Sequence, residues 1–126
     1  MTLKDDFFTI ESQKIVGDYA EFCIKLNPEH IIYKAHFPDN PITPGVCIVQ
    51  MVKEVYSHII TKKFFLNKIK TLKFNHPIIP TMHEHVTINI NKVLEENGEH
   101  HLKVEIKNGD IIFSKINMQL KELNTN

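Results

Sequence analysis

The chain has 126 residues, 42% of them hydrophobic and 24% charged, with a formal net charge of zero. That length supports one domain around one core, and the balanced charge excludes a global basic footprint for nucleic acid while leaving self-association unopposed. No apolar run approaches the roughly 20 residues of a membrane span, and the first residues carry Asp5 and Asp6 rather than a signal-peptide pattern. A single cytoplasmic domain over 1–126, with no nucleic-acid or membrane partner, is expected.

Phe7 to Val16 reads as a turn and a strand. Asp18 to Leu26 alternates Ala20, Phe22, Ile24 and Leu26 against Tyr19, Glu21, Cys23 and Lys25, the pattern of a half-buried strand, which Asn27-Pro28 breaks. Cys23 and Cys47, the only cysteines, both sit among apolar neighbours and are expected as small buried residues rather than a disulfide.

From about Pro44 to Lys62, Ile48, Val52, Val55 and Ile59 recur at helical spacing, as do Val49, Val52, Tyr56 and Ile60. Gln50, Glu54, Ser57 and Thr61 leave only a narrow polar stripe, so this helix should be wrapped by other structure. Phe64-Phe65-Leu66 is expected to cap the helix end of the core.

The second half is strand-like: Ile69 to Phe74, His83 to Leu94, His101 to Lys107 and Ile111 to Leu120 alternate. Asn97-Gly98 and Asn108-Gly109 are hairpin signals, so the last fifty or so residues predict an antiparallel meander of three strands. The sum is an α+β domain in which an antiparallel sheet curls around one long helix, with edge strands managed by a second copy.

The chemistry concentrates in Ala35 to Gln50, AHFPDNPITPGVCIVQ, which holds three of the chain's six prolines and one histidine, His36. Pro38, Pro41 and Pro44 each fix a backbone φ, so the loop loses little entropy on ordering and can hold an imidazole in place. Phe37 can anchor it in the core. Gly45 admits close approach at the helix start, where free N–H groups and the helix dipole can polarise a carbonyl. A titratable imidazole beside a carbonyl-binding helix start suits proton abstraction next to a carbonyl.

Other histidines invite a metal reading. His83 and His85 would share one strand face, and His100-His101 is a second pair, but no further ligand set lies at standard spacing. Surface positions near hairpin ends are expected for them; His76, between Asn75 and Pro77, is weighed as lining the site mouth but expected at the surface, and neither a metal nor a cofactor is called for.

HFPDNPITPGVCIVQ resembles the His-Phe-Pro-x-x-Pro-x-x-Pro-Gly-Val/Cys motif of the β-hydroxyacyl-(acyl-carrier-protein) dehydratases, which have the hotdog fold. LKFNHPIIP, Leu72 to Pro80, looks like that family's second Phe-x-x-Pro-x-x-Pro segment. The resemblance covers roughly residues 30–121. It implies that His36 takes the α-proton of a 3-hydroxyacyl thioester, that the Gly45 amide holds the thioester carbonyl, and that Phe37, Pro44 and Val46 flank the substrate. It also implies a site shared across a homodimer or a larger homo-oligomer, an apolar acyl tunnel, and acyl carrier protein or coenzyme A as the carrier. Lys62, Lys63, Lys68 and Lys70 would attract an acidic carrier.

Position 50 departs from the pattern. The resemblance places the acid that protonates the leaving hydroxyl there, and this chain has Gln50, which releases no proton near neutral pH. Glu54, one helical turn on, or Asp39, three residues from His36, is a candidate to supply the acid through water while Gln50 positions the substrate; the competing and favoured reading makes Glu54 a solvated or salt-bridged residue near Lys53 or His58 and Asp39 a turn residue. The expected activity is elimination of water to the trans-2-enoyl thioester in fatty-acid or related polyene or polyketide synthesis. The alternatives are a non-catalytic acyl-thioester-binding partner subunit of a dehydratase complex, which Gln50 favours, and a hotdog thioesterase.

Overall fold

A computed structural model of the chain describes residues 2–36 and 38–123. The elements are β1 (Phe8–Val16), β2 (Tyr19–Leu26), α1 (Ile31–Ala35), α2 (Gly45–Ile60), β3 (Phe64–Phe74), β4 (His85–Glu96), β5 (Glu99–Asn108) and β6 (Ile111–Glu122). All six strands form one antiparallel sheet in the order β1-β2-β4-β5-β6-β3.

Alternation decides which face is buried. Ala20, Phe22, Ile24 and Leu26 of β2 point inward with Val86, Ile88 and Ile90 of β4, Leu102, Val104 and Ile106 of β5, and Phe113, Ile116, Met118 and Leu120 of β6. Cys47, Ile48, Val49, Met51, Val52, Val55 and Tyr56 of α2 join the same buried cluster. Each such large apolar side chain contributes about 1.5–3 kcal/mol on leaving water, which makes the helix–sheet interface the main source of stability.

The helix starts and stops for local reasons. Pro44, with φ −62°, is its N-cap, and Thr61, in the left-handed region at φ 60°, ends it with its N–H on the Ser57 carbonyl. The first hairpin of the meander turns on Asn97 (φ 53°) and Gly98 (φ 80°), the two left-handed residues a tight turn between paired Glu96 and Glu99 demands.

The second hairpin also forms at its Asn-Gly, with the turn on Gly109–Asp110 and Asn108 in the ladder opposite Ile111. Three expectations are corrected. Phe64-Phe65-Leu66 opens β3 instead of capping the helix, with Phe64 buried and Phe65 and Leu66 exposed. Cys23 is exposed, because the alternation that buries Phe22 and Ile24 turns it outward; Cys47 is buried, and both are free thiols. The helical content is not one helix alone, since α1 precedes the proline loop.

The edges are unequal. On the β3 edge, Phe65, Leu66, Ile69, Leu72 and Phe74 stay between 37% and 52% exposed, in a strand of which only Phe64 is buried. Register shifts at Leu66/Lys68 and Ile69/Thr71 bend this strand against β6.

Candidate active site

Helix α1 is short, and the N-terminal turn holds it in place. His30 caps it, with Nδ1 accepting from the Ile32 N–H at 3.0 Å and Nε2 lying 3.1 Å from the Asp6 carboxylate. Tyr33 is buried and stacks on Phe7 at 4.9 Å between ring centroids. His36 follows directly as the C-cap, its N–H donating to the Ile32 carbonyl at 3.0 Å. The imidazole therefore sits at the end of an anchored turn, and its side chain is exposed.

The far end of the proline loop is braced twice. Thr43 Oγ1 lies 2.9 Å from the Tyr33 hydroxyl, and the Thr43 N–H donates to the Ile78 carbonyl at 2.8 Å. Burial, more than any other influence, raises the Tyr33 hydroxyl well above its ordinary value, so it stays a neutral phenol. The Ile78 segment is itself tied down, with the Asn75 and His76 amides both donating to the Phe113 carbonyl.

A cleft of about 400 Å³ opens between these two braced segments, lined by His36, Thr43, Gly45, Ile48, Phe74 and His76 among others. The helix entrance forms part of its wall. The Cys47 and Ile48 amides bond back to the Pro44 carbonyl, at 3.0 and 3.1 Å, and α2 has no side-chain cap; the Gly45 and Val46 amides find no acceptor among the described residues. Such free N–H groups at a helix start bind developing negative charge. Gly45 permits a close contact: a Cβ there would lie 2.6 Å from Phe74 Cζ unless the ring moved, so the glycine lets the aromatic ring rest on the helix start.

The predicted site residues thus divide. His36, Pro44 and Gly45 line one cleft. Val46 is 69% exposed and is not among the cleft residues. Phe37 lies outside the described residues. Gln50 and Glu54 do not line the cleft of their own chain. The Gln50 amide donates to Glu54 Oε2 at 2.7 Å, and the same carboxylate accepts from the Leu3 N–H at 3.0 and 2.9 Å and from the Lys4 N–H at 2.7 Å. Glu54 is therefore a clamp on the N-terminal turn. Asp39 is exposed and does not line the cleft.

Sequence reasoning did not assign Thr43 or Phe74 a part in the cleft, and it weighed His76 at the site mouth but expected it at the surface. Thr43 and His76 stand inside the two proline segments, and that position was the available signal. Of the histidines that invited a metal reading, His83 precedes β4, rests edge-on against Phe113 and shares no strand face with His85, which pairs with Glu11 at 2.8 Å. His100, expected at the surface, is 4% exposed. Its position opposite Glu95 on the buried face of β5 places it under the sheet end rather than on it.

Comparison with known proteins agrees with this architecture. A chain of the dehydratase heterocomplex ApeI:P from Xenorhabdus doucetiae aligns with a TM-score of 0.71 and 19% identity, over 89% of this chain and 96% of that one. A hypothetical thioesterase with coenzyme A from Streptococcus pneumoniae aligns at 0.65 and 9% identity, over 94% and 88%. A thioesterase from Haemophilus influenzae aligns at 0.64 and 12% identity, over 93% and 78%. These likenesses establish a shared fold, the hotdog arrangement of an antiparallel sheet with a helix. Residues 12–116, most of the chain, match the ApeI dehydratase family, and on that match the protein belongs to the ApeI-like dehydratases.

Proposed function

We propose that the protein removes water from a 3-hydroxyacyl thioester to give the trans-2-enoyl thioester. The observation that supports this most is the cleft in which the braced His36 faces the same space as the uncapped start of α2. The thioester carbonyl binds at the Gly45 amide, at the start of α2, which acidifies the α-carbon. His36 takes the α-proton, the electron pair forms the C2–C3 double bond, and the C3–O bond breaks.

The leaving hydroxyl needs a proton. Glu54 is committed to Leu3 and Lys4, so this reading moves the role to His76, the cleft's second imidazole. In its protonated form His76 gives that proton and leaves water; solvent then returns His36 and His76 to their starting states. The apolar β3 edge is the surface where a second copy adds, and Lys63, Lys68 and Lys70 on or beside it, in no ion pair among the described residues, meet an acidic carrier, whereas Lys62 is paired with Glu122 at 3.0 Å.

A second reading is favoured by Gln50 and by the heteromeric state of the ApeI:P complex. In it, this chain binds the acyl thioester and a different hotdog chain contributes the acid. Incubating the purified protein with a 3-hydroxyacyl thioester and following the absorbance of the conjugated enoyl product separates the two. Turnover by this chain alone, lost in His36→Ala, supports the first. No turnover alone, with thioester binding retained, supports the second. Neither turnover nor binding refutes both.

A further inference from the structure

At the opposite end of α2 lies a group of side chains the dehydration chemistry does not use. Tyr56 of α2, Glu95 of β4, His100 of β5 and Glu122 of β6 meet there. The sheet register puts Glu95 directly across from His100, and the Glu122 N–H donates to the Gly98 carbonyl at 2.9 Å, fixing β6 against the β4–β5 hairpin. One ligand atom from each of Glu95, His100 and Glu122 lies within 4.8 Å of the other two.

The imidazole is fully positioned. Its ring is buried and held edge-on by Tyr56 and Phe64, with centroids 5.4 and 4.8 Å away. Nδ1 lies 2.5 Å from the Tyr56 hydroxyl, so only Nε2 is presented to the carboxylates, 2.8 Å from Glu122 Oε2. Glu95 and His100 also line a second cavity of about 420 Å³, together with Tyr19, Tyr56 and Ile59. No residue lines both this cavity and the His36 cleft.

We propose that Glu95, His100 and Glu122 form a binding site for a divalent transition-metal ion, with zinc the ion that fits this donor set. An imidazole with two carboxylates suits zinc or cobalt; magnesium and calcium prefer oxygen ligands alone. Three protein ligands leave a fourth position for water, and the cavity beside the group offers the room. Tyr56 acts behind the ligand. When Nε2 binds the ion, the ring proton resides on Nδ1 and donates to the Tyr56 oxygen, the outer-shell bond that orients metal-bound histidines. The Tyr56 hydroxyl oxygen is already placed to accept that bond. Lys62 opposes the ion, since its ammonium lies 3.0 Å from Glu122 Oε1.

The test is equilibrium dialysis of the full-length protein against Zn²⁺ and titration with Co²⁺, following the visible absorption of tetrahedral cobalt. One ion per chain is expected. Glu95→Gln, at an exposed side chain, should weaken binding by at least about tenfold, and Lys62→Met should strengthen it. His100→Gln should abolish the cobalt band; if it unfolds the chain, Glu95→Gln and Glu122→Gln decide the matter. Absence of stoichiometric binding, or binding that neither carboxylate variant alters, overturns the proposal. Because the readout is metal content and spectrum, the result is independent of dehydratase activity.

Discussion

Gln50 and Glu54 face each other one turn apart on α2, the amide donating to the carboxylate at 2.7 Å, while that carboxylate also caps the Leu3 and Lys4 amides. The residue standing where the resemblance places a catalytic acid thus supports a clamp that joins the helix to the N-terminal turn. Glu54→Ala leaves those amides without their acceptor and should lower unfolding free energy by about 1–3 kcal/mol; Glu54→Gln should cost less. Urea denaturation measures both. An unchanged midpoint for Glu54→Ala would show that the clamp contributes nothing.

His36 carries the proposed proton abstraction and is exposed, so its removal should separate activity from folding. His36→Ala should reduce enoyl formation by about 10²–10⁴-fold with the thermal midpoint nearly unchanged. His76→Gln should lower turnover as well, with less effect on substrate binding.

Gly45→Ala places a methyl group 2.6 Å from Phe74 Cζ. The ring is 52% exposed and can swing aside, so the fold should survive with a loss near the lower end of about 1–3 kcal/mol. The cleft, however, is reshaped, and thioester turnover should fall. Adding Phe74→Leu should recover part of the activity, a rescue that simple destabilisation of α2 would not produce.

The His100 hydrogen bond, followed by that from Lys62, holds the Glu122 carboxyl below its ordinary value of 4.5. The native state therefore binds this proton more weakly than the unfolded chain does. The resulting stability is present above pH 4.5 and is lost as pH falls through the lowered native value. Urea midpoints across the acid range should show a steeper decline for the wild type than for Glu122→Gln. Parallel curves would contradict the assignment.

The exposed apolar row on β3 is the expected meeting surface for a second chain. Leu72→Lys with Ile69→Lys should yield a folded monomer by size-exclusion chromatography. A wild-type protein that already elutes as a monomer at micromolar concentration would refute the shared-edge assembly.

Alternation in β2, β4, β5 and β6 and the apolar girth of Cys47 to Tyr56 were legible in the sequence, because strand and helix periodicities are local records of which face is buried. So was the run of prolines between His36 and the start of α2, since each proline restricts its own backbone. The partners of Glu54 and Thr43 were not, because Leu3 and Tyr33 reach them only after the N-terminal turn and α1 have packed. The same holds for His100: its sequence neighbours mark a hairpin end, but its burial and its bonds to Tyr56 and Glu122 come from four elements converging across the sheet. Local periodicity determined the inner strands and the long helix; long-range packing decided which polar groups face one another.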